Sequence, residues 1–445
     1  MSEFVPLAGL CLAITKGTTP SASDGGFSDS GINYIKSESL SYDGSIDTNK
    51  FAFISDETNQ RLKRSIIKDG DILYSIAGAN LGKCGIARKE HLPANTNQAV
   101  AIIRIDESRA SNRFISFFLR NSKFVQSVLG SVAQSAQPNV NLGEIGRFRI
   151  PNFPLSEQHA IASVLGALDD KIELNRRMNE TLEATARAIF KDWFVDFGPT
   201  RAKMEGRAPY LPADIWSLFP DRLDDDGKPE GWRIIQLGQL LDVLETGGRP
   251  KGGVSSYFTG VPSVGAESIT GLGKFDFSKT KFVPEEFFNS MNKGHVQSRD
   301  VLLYKDGGKP GLFEPHVTLF GDGFPFSKFA INEHVYRMRA VESYGQNCLY
   351  FWLSTESVEA EMRIKGTGVA IPGLNSTQVK SLSVVVPNGE IAKQLNLALE
   401  PFVTRILANC NESKTLAATR DFLLPKLMSG EVRVKDAEKL VGEAI

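Results

Sequence analysis

The stretch GANLGK (78–83) resembles a phosphate-binding loop, but it has one residue too few between its glycines, and Cys84 follows where Ser or Thr should bind a metal. PDRLDDDGK (220–228) carries Pro-Asp and Asp226-x-Lys228, the parts of a metal-dependent nuclease. Its spacing is too short for that chemistry and its composition is that of a solvated acidic loop. His91, His159, His295, His316 and His334 show neither HExxH nor paired-ligand spacing. Cys11, Cys84, Cys348 and Cys410 lie far apart with no CxxC. There is no GxSxG elbow, no dinucleotide fingerprint and no [DN]-P-P-[FY] tetrapeptide of an amino-methyltransferase. No catalytic constellation survives, and no metal or cofactor is expected in this chain. That points to binding.

The candidate binding residues sit in polar loops rich in Gly and Pro. KGTTPSAS (16–23) presents Lys16, Thr18 and Thr19; YIKSES (34–39) presents Lys36 and Ser37; RLKRSIIK (61–68) presents Arg61, Lys63 and Arg64; Lys83 closes GANLGK. Later in the chain GGRPKGG (247–253) offers Arg249 and Lys251, SVGAES (263–268) offers Ser263, and YKDGGK (304–309) offers Lys305 and Lys309. Arg and Lys suit phosphates and guanine edges, and hydroxyl and amide groups suit either bases or phosphates. The net charge of −1 argues weakly against nucleic acid, but it is unevenly distributed. Residues 1–155 carry 17 basic and 14 acidic side chains and residues 231–388 carry 16 and 15, whereas 156–230 carries 10 and 15. The loop-bearing segments are thus mildly basic.

These loops recur because the chain is a repeat. GINYIKSESL (31–40) aligns with GVPSVGAESI (260–269), GDILYS (70–75) with RDVLLY (299–304), and NQAVAIIR (97–104) with NEHVYRMR (332–339). KGTTP (16–20) aligns with GGRP (247–250) through Gly17/Gly247 and Pro20/Pro250, and SFFL (116–119) with YFWL (350–353). Each half reads as short strands, then a helical pattern (112–129 and 347–364), then a strand-like close, FRIP or SVVVP, then a long helix. The fold class expected is α+β, twice over.

The long helices carry heptads. Ile161, Leu165, Leu168, Ile172, Asn175, Asn179, Leu182, Ala186 and Ile189 alternate by four and three. A shift of 234 gives Leu395, Leu399, Phe402, Ile406, Asn409, Ser413, Leu416, Arg420 and Leu423. This spacing predicts a coiled-coil seam, and with two such helices, pairing them antiparallel is the economical arrangement. The asparagines are then register markers that reject shifted pairings. Pro154 and Pro199 bracket the first helix, Pro387 and Pro425 the second, with Pro401 inside it.

At 445 residues, 41% hydrophobic and 23% charged, the chain should form two or three globular domains. The isolated cysteines fit a reducing compartment, and neither a signal peptide nor a membrane span is indicated. A cytoplasmic protein with no membrane partner is expected.

Residues 154–207, from PLSEQHAIASVLGALDDKIELNRRMNE to TRAKMEGR, resemble the central conserved region of the specificity subunits of type I restriction-modification systems. KPEGWR (228–233) resembles the lead-in to that family's second target-recognition domain, and LLPKLMSGEVRV (423–434) its conserved C-terminal end. The first domain departs from the family in starting with FVPLAGL rather than Pro-x-Gly-Trp. The resemblance implies a first target-recognition domain over 1–155, a conserved helix over 156–198, a linker over 199–230, a second target-recognition domain over 231–388, a second conserved helix over 389–430 and a tail over 431–445. It implies a non-catalytic subunit that reads bipartite double-stranded DNA. Adenine-methyltransferase subunits using S-adenosylmethionine, and restriction/translocase subunits using ATP and Mg, would be its partners. A specificity subunit serving a combined restriction-methylation enzyme outside type I, or a two-domain scaffold that binds no DNA, are the alternatives.

Overall fold

In the computed structural model, residues 4–21, 23, 25–132, 139–307, 311–367, 372–387 and 390–444 are described. The chain forms two compact units, one of residues 1–172 with 415–445, the other of residues 173–414. Both are α+β.

In the first unit an antiparallel sheet has the order Cys11–Lys16, Val100–Ile105, Ile72–Ser75, Cys84–Ile86. Its two inner strands, ILYS and VAIIRI, are buried at every position except half-buried Arg104, so they read as continuous apolar runs rather than alternating ones. A second sheet places Ile32–Ile35 between Ala52–Ile54, antiparallel, and Ala94–Thr96, parallel. Phe4–Pro6 pairs with Arg149–Pro151.

The second unit repeats this arrangement strand for strand. Its four-stranded sheet runs Leu241–Thr246, Val335–Ala340, Val301–Tyr304, Val317–Leu319, and Val261–Val264 lies between Lys281–Val283 and Ala330–Ile331. Even the irregularities coincide: the register slips between Cys11 and Ala13 in one unit and between Leu241 and Val243 in the other. Gly31 and Gly260 both have φ +129°, with Ile54 O and Val283 O where a Cβ would lie, so only glycine fits.

Each large sheet has a buried carboxylate brace. Asp71, 1% exposed, accepts from the Lys68 backbone N–H at 2.7 Å and from Arg104 Nε and Nη2 at 2.7 and 2.6 Å. Asp300, fully buried, accepts from the Gln297 N–H at 2.7 Å, from Arg339 Nε at 2.9 Å and from Arg337 Nε. The second unit therefore has one arginine more on the same carboxylate, and Arg337 also reaches Glu245 at 2.8 Å.

The helical pattern after each sheet is two helices rather than one. Asn112–Arg120 stops at Asn121, whose side-chain Oδ1 accepts from the Lys123 N–H at 3.0 Å and starts Ser122–Val132. Gln346–Leu353 and Glu356–Gly366 are parted by Ser354 and Thr355.

The long helices span Leu155–Phe194 and Ile391–Ser429, each roughly 60 Å at 1.5 Å per residue. The second runs through Pro401 and beyond Pro425, so Pro425 does not end it. A proline within a helix costs about 3 kcal/mol. Here Leu423, Leu424, Leu427 and Met428, all buried around that site, offset it, since each contributes roughly 1.5–3 kcal/mol. The first helix ends in an aromatic cluster. Trp193 meets Phe219 at 5.3 Å, Phe194 meets Trp232 at 5.2 Å, and Phe197, with φ 54°, turns the chain and contacts Trp232 at 5.7 Å. The stretch 199–230 carries the short helices Gly198–Met204 and Ala213–Leu218.

The helices pack on each other. Of the first seam, Ile161, Leu165, Leu168, Asn175 and Ala186 are buried, and Ile172, Asn179, Leu182 and Ile189 are half-buried. Of the second, Leu395, Leu399, Ile406, Asn409, Leu416, Arg420 and Leu423 are buried, with Phe402 and Ser413 half-buried. Within the second unit, Asn175 Nδ2 donates to Glu412 at 2.7 Å and Ser413 at 3.2 Å, while Asn179 Nδ2 reaches Cys410 Sγ at 3.3 Å. Asn409 Nδ2 donates to Asn179 Oδ1 at 2.8 Å and Asn175 Nδ2 approaches Asn409 O at 3.4 Å. Partners fall in number as the first helix rises, so the pair is antiparallel. Asn175 meets Asn409, its own repeat equivalent, as a local two-fold requires. Within the first unit, Arg420 takes a seam position as a cation and binds Asp169 at 2.8 Å, which Arg120 also binds at 2.7 Å.

Candidate nucleic-acid interface

Loops far apart in sequence meet at one place in each unit. In the first, Thr18 N–H donates to Thr96 O at 3.1 Å, and Tyr34 OH donates to Thr18 O at 2.8 Å. Thr19 N–H donates to Gln98 Oε1 at 3.1 Å, and the Thr19 hydroxyl bonds the same oxygen. Asn80 Nδ2 donates to Ser37 Oγ at 3.3 Å, and Lys83 donates to Asn80 Oδ1 at 2.8 Å. Segments 16–19, 34–37, 80–83 and 96–98 are thereby gathered. Lys16, Thr18 and Thr19 are exposed, whereas Ser37 is buried and Lys36 forms an ion pair with Glu38 at 2.8 Å. Arg61 binds Glu57 at 2.6 Å and Ser23 O at 2.9 Å, and its neighbours Lys63 and Arg64 are exposed.

In the second unit Gly247 N–H donates to Asn332 O at 3.1 Å, and Asn332 N–H to Val264 O at 3.1 Å. Arg249 Nε lies 2.6 Å from Glu333 Oε1. Lys305 Nζ donates to Glu333 O at 3.2 Å and lies 3.0 Å from Asp306 Oδ2; His334 Nδ1 bonds Asp306. Burial alone would raise the Asp306 carboxyl, but hydrogen bonds from His334 and Lys305 outweigh it and hold the group below its ordinary value. The equivalent carboxyls Glu38 and Glu267 are likewise held low against burial, by Lys36 and Lys281. Lys251 is exposed. Ser263 is buried in its strand, paired with Lys281 and Ala330, and so does not present its hydroxyl as a loop residue would. Lys309 lies outside the described residues.

Sequence reasoning missed Gln98, Glu333, Asp306 and His334. NQAV and NEHV align as a repeat, but read as strand they gave no sign that their first residues turn into the loop cluster. It missed Phe258 as well, 83% exposed on the loop before Val261–Val264.

The acidic stretch 220–228 is a closed turn: Lys228 Nζ bonds Asp224 and lies 2.9 Å from Asp226, with Leu223 bridging Pro229. Among the described residues no cluster of three or more His, Cys, Asp or Glu could hold a metal ion, and no helix is long and apolar enough to cross a membrane.

The family model of the type I restriction modification DNA specificity domain matches residues 2–184. The chain is 25% identical over 389 residues to the type I restriction enzyme MjaIX specificity subunit of Methanocaldococcus jannaschii, covering 86% of this chain and 82% of that one. It is 24% identical over 420 residues to the HindI specificity subunit of Haemophilus influenzae, covering 83% and 88%. The crystal structure of a type I restriction-modification S subunit from M. genitalium shares the fold, with a TM-score of 0.52 at 13% identity over 95% of each chain. The doubled α+β unit and the paired helices agree with these relatives: residues 2–184 match the type I restriction modification DNA specificity domain, and over more than four-fifths of its length the chain is similar to the specificity subunits of type I restriction-modification systems.

Proposed function

We propose that this chain reads a bipartite, asymmetric double-stranded DNA site, with residues 1–155 and 231–388 as target-recognition domains for one half-site each. The carrying observation is that each unit gathers equivalent loops at an equivalent place, on equivalent strands, with different side chains. Lys16, Thr18, Thr19, Lys36, Arg61, Lys63, Arg64, Lys83, Arg249, Lys251 and Lys305 supply phosphate and base contacts. Exposed cations among them would make binding fall steeply with salt. Segments 156–198 and 389–430, the conserved helices, set the spacer between half-sites and carry the methyltransferase and restriction/translocase subunits. Segment 199–230 links the domains, and 431–445 is the tail. S-adenosylmethionine, ATP and Mg belong to those partner subunits, and the complex works in the cytoplasm.

Genome-wide adenine-methylation mapping, with the gene present and deleted, tests this reading. An interrupted, asymmetric motif should be methylated only when the chain is present. Unchanged methylation on deletion would refute it.

A further inference from the structure

Two pairs of side chains stand at the same address in the two halves. Thr19 lies between Gly17 and Pro20, and Arg249 between Gly247 and Pro250. Gln98 lies between Asn97 and Val100, and Glu333 between Asn332 and Val335. The flanks are the same residue types, and the backbone crossing is the same too. A Cβ on Gly17 would fall 2.0 Å from Thr96 O, and one on Gly247 would fall 1.6 Å from the equivalent Ile331 O. Only glycine permits that approach, which fixes where the next two residues emerge. At that point Thr19 binds Gln98 in one unit and Arg249 binds Glu333 in the other. The frame is constant, and the chemistry changes from neutral to charged.

We propose that Thr19–Gln98 and Arg249–Glu333 are equivalent base-reading pairs, the first specifying an A·T pair in its half-site and the second a G·C pair in the other. This rests on the DNA-reading function proposed above. In the major groove glutamine matches adenine N6 and N7, and a threonine methyl packs against the thymine methyl. Arginine matches guanine O6 and N7, and a carboxylate accepts from cytosine N4. Three features equip the pairs for this. Thr19, Gln98 and Arg249 are exposed. Glu333 Oε2 is buried and has no hydrogen-bond partner among the described residues, so the carboxylate keeps an unsatisfied acceptor that a base amino group would fill once the side chain turns outward. The Arg249 contact and the Lys305 bond to the Glu333 carbonyl hold the charged pair in place before DNA arrives, which lowers the ordering cost of binding.

The test uses the full complex with its methyltransferase subunits and reads adenine methylation across a genome. Arg249→Thr with Glu333→Gln should reduce the preference for G·C at one position of the second half-site by roughly ten- to a hundred-fold, toward A·T, and leave the first half-site unchanged. The reciprocal Thr19→Arg with Gln98→Glu should shift one position of the first half-site toward G·C. It changes exposed groups only, so it decides the matter if the first variant fails to fold. Two results would overturn the assignment: both half-sites unchanged in a folded variant, or methylation lost at every site by a variant that melts like the wild type, which would make the pairs loop braces. If the wild-type chain directs no interrupted motif, the DNA-reading function itself falls, and that outcome is distinct from either.

Discussion

Asparagine at position 300 is the sharpest test of how the sheets are held. Asp300 is fully buried and binds two guanidinium groups and a backbone N–H. Asn keeps the shape, but it replaces one accepting oxygen with an N–H2 that must face arginine donors. Arg337, 7% exposed, keeps Glu245 as a partner, while Arg339 keeps, among the described residues, the Ser298 carbonyl at 3.0 Å. Breaking a buried, hydrogen-bonded ion pair from one side costs about 3–5 kcal/mol. For a unit of 150–250 residues each kcal/mol lowers Tm by about 2–4 °C, so Asp300→Asn should lower the second unit's melting by roughly 6–20 °C. Asp71→Asn is the internal control, since it frees one arginine in the first unit. Scanning calorimetry gives the size, and peptide-resolved hydrogen exchange gives the place. A fall under 2 °C, or faster exchange spread equally into residues 1–172, would refute the claim that this carboxylate braces its own unit.

Three further outcomes are expected. Hydrogen bonds from Arg176 and Arg177, acting against burial, bring Glu173 down to about 2 from 4.5. A depressed carboxyl stabilises the fold fully above pH 4.5 and loses that contribution as pH falls through 2, so the stability gap between wild type and Glu173→Gln should shrink over that window; urea melts showing a constant gap would contradict this. Asn409→Ala removes the donor to Asn179 Oδ1 in a buried seam and should cost about 1–3 kcal/mol in chemical denaturation; no measurable loss would remove the asparagines from the energetics of the pair. Inserting four residues between Leu182 and Ala186 adds about 6 Å of helix, and at 3.4 Å per base pair the preferred spacer should shift by one or two base pairs. Methylation mapping that found an altered half-site instead would reject the helix as the spacer.

Much of the architecture was legible because it was written twice. The spacing of Ile161, Leu165 and Leu168, repeated at Leu395, Leu399 and Phe402, gives the helix pair without any long-range information, because helical periodicity is local. The brace is different in kind. GDILYS and RDVLLY align on Asp71 and Asp300, but nothing in the spacing couples Asp71 to Arg104 across the sheet. Pro425 misled because proline's local cost was read without the packing of Leu423 and Leu427, which only the fold supplies. At the loop cluster the basic residues stood out by type. Gln98 and Glu333 did not, because a polar residue at a strand's edge shows its direction only once a neighbouring chain crosses it. Ser263 erred the other way: a hydroxyl beside glycines looks like loop, yet its strand is central to a sheet.

Gly17 and Gly247 have a consequence for how such a protein can change what it reads. The crossing they permit is a property of the backbone, indifferent to what residues 19, 98, 249 and 333 carry. Mutation there can rewrite a side chain without moving the position from which it is presented, and without disturbing the braced sheet beneath. On the proposed base-reading role, a library confined to two codons in one half would therefore explore new vocabulary for that half alone, while either glycine mutated to alanine would silence its half, whatever the pair spelled.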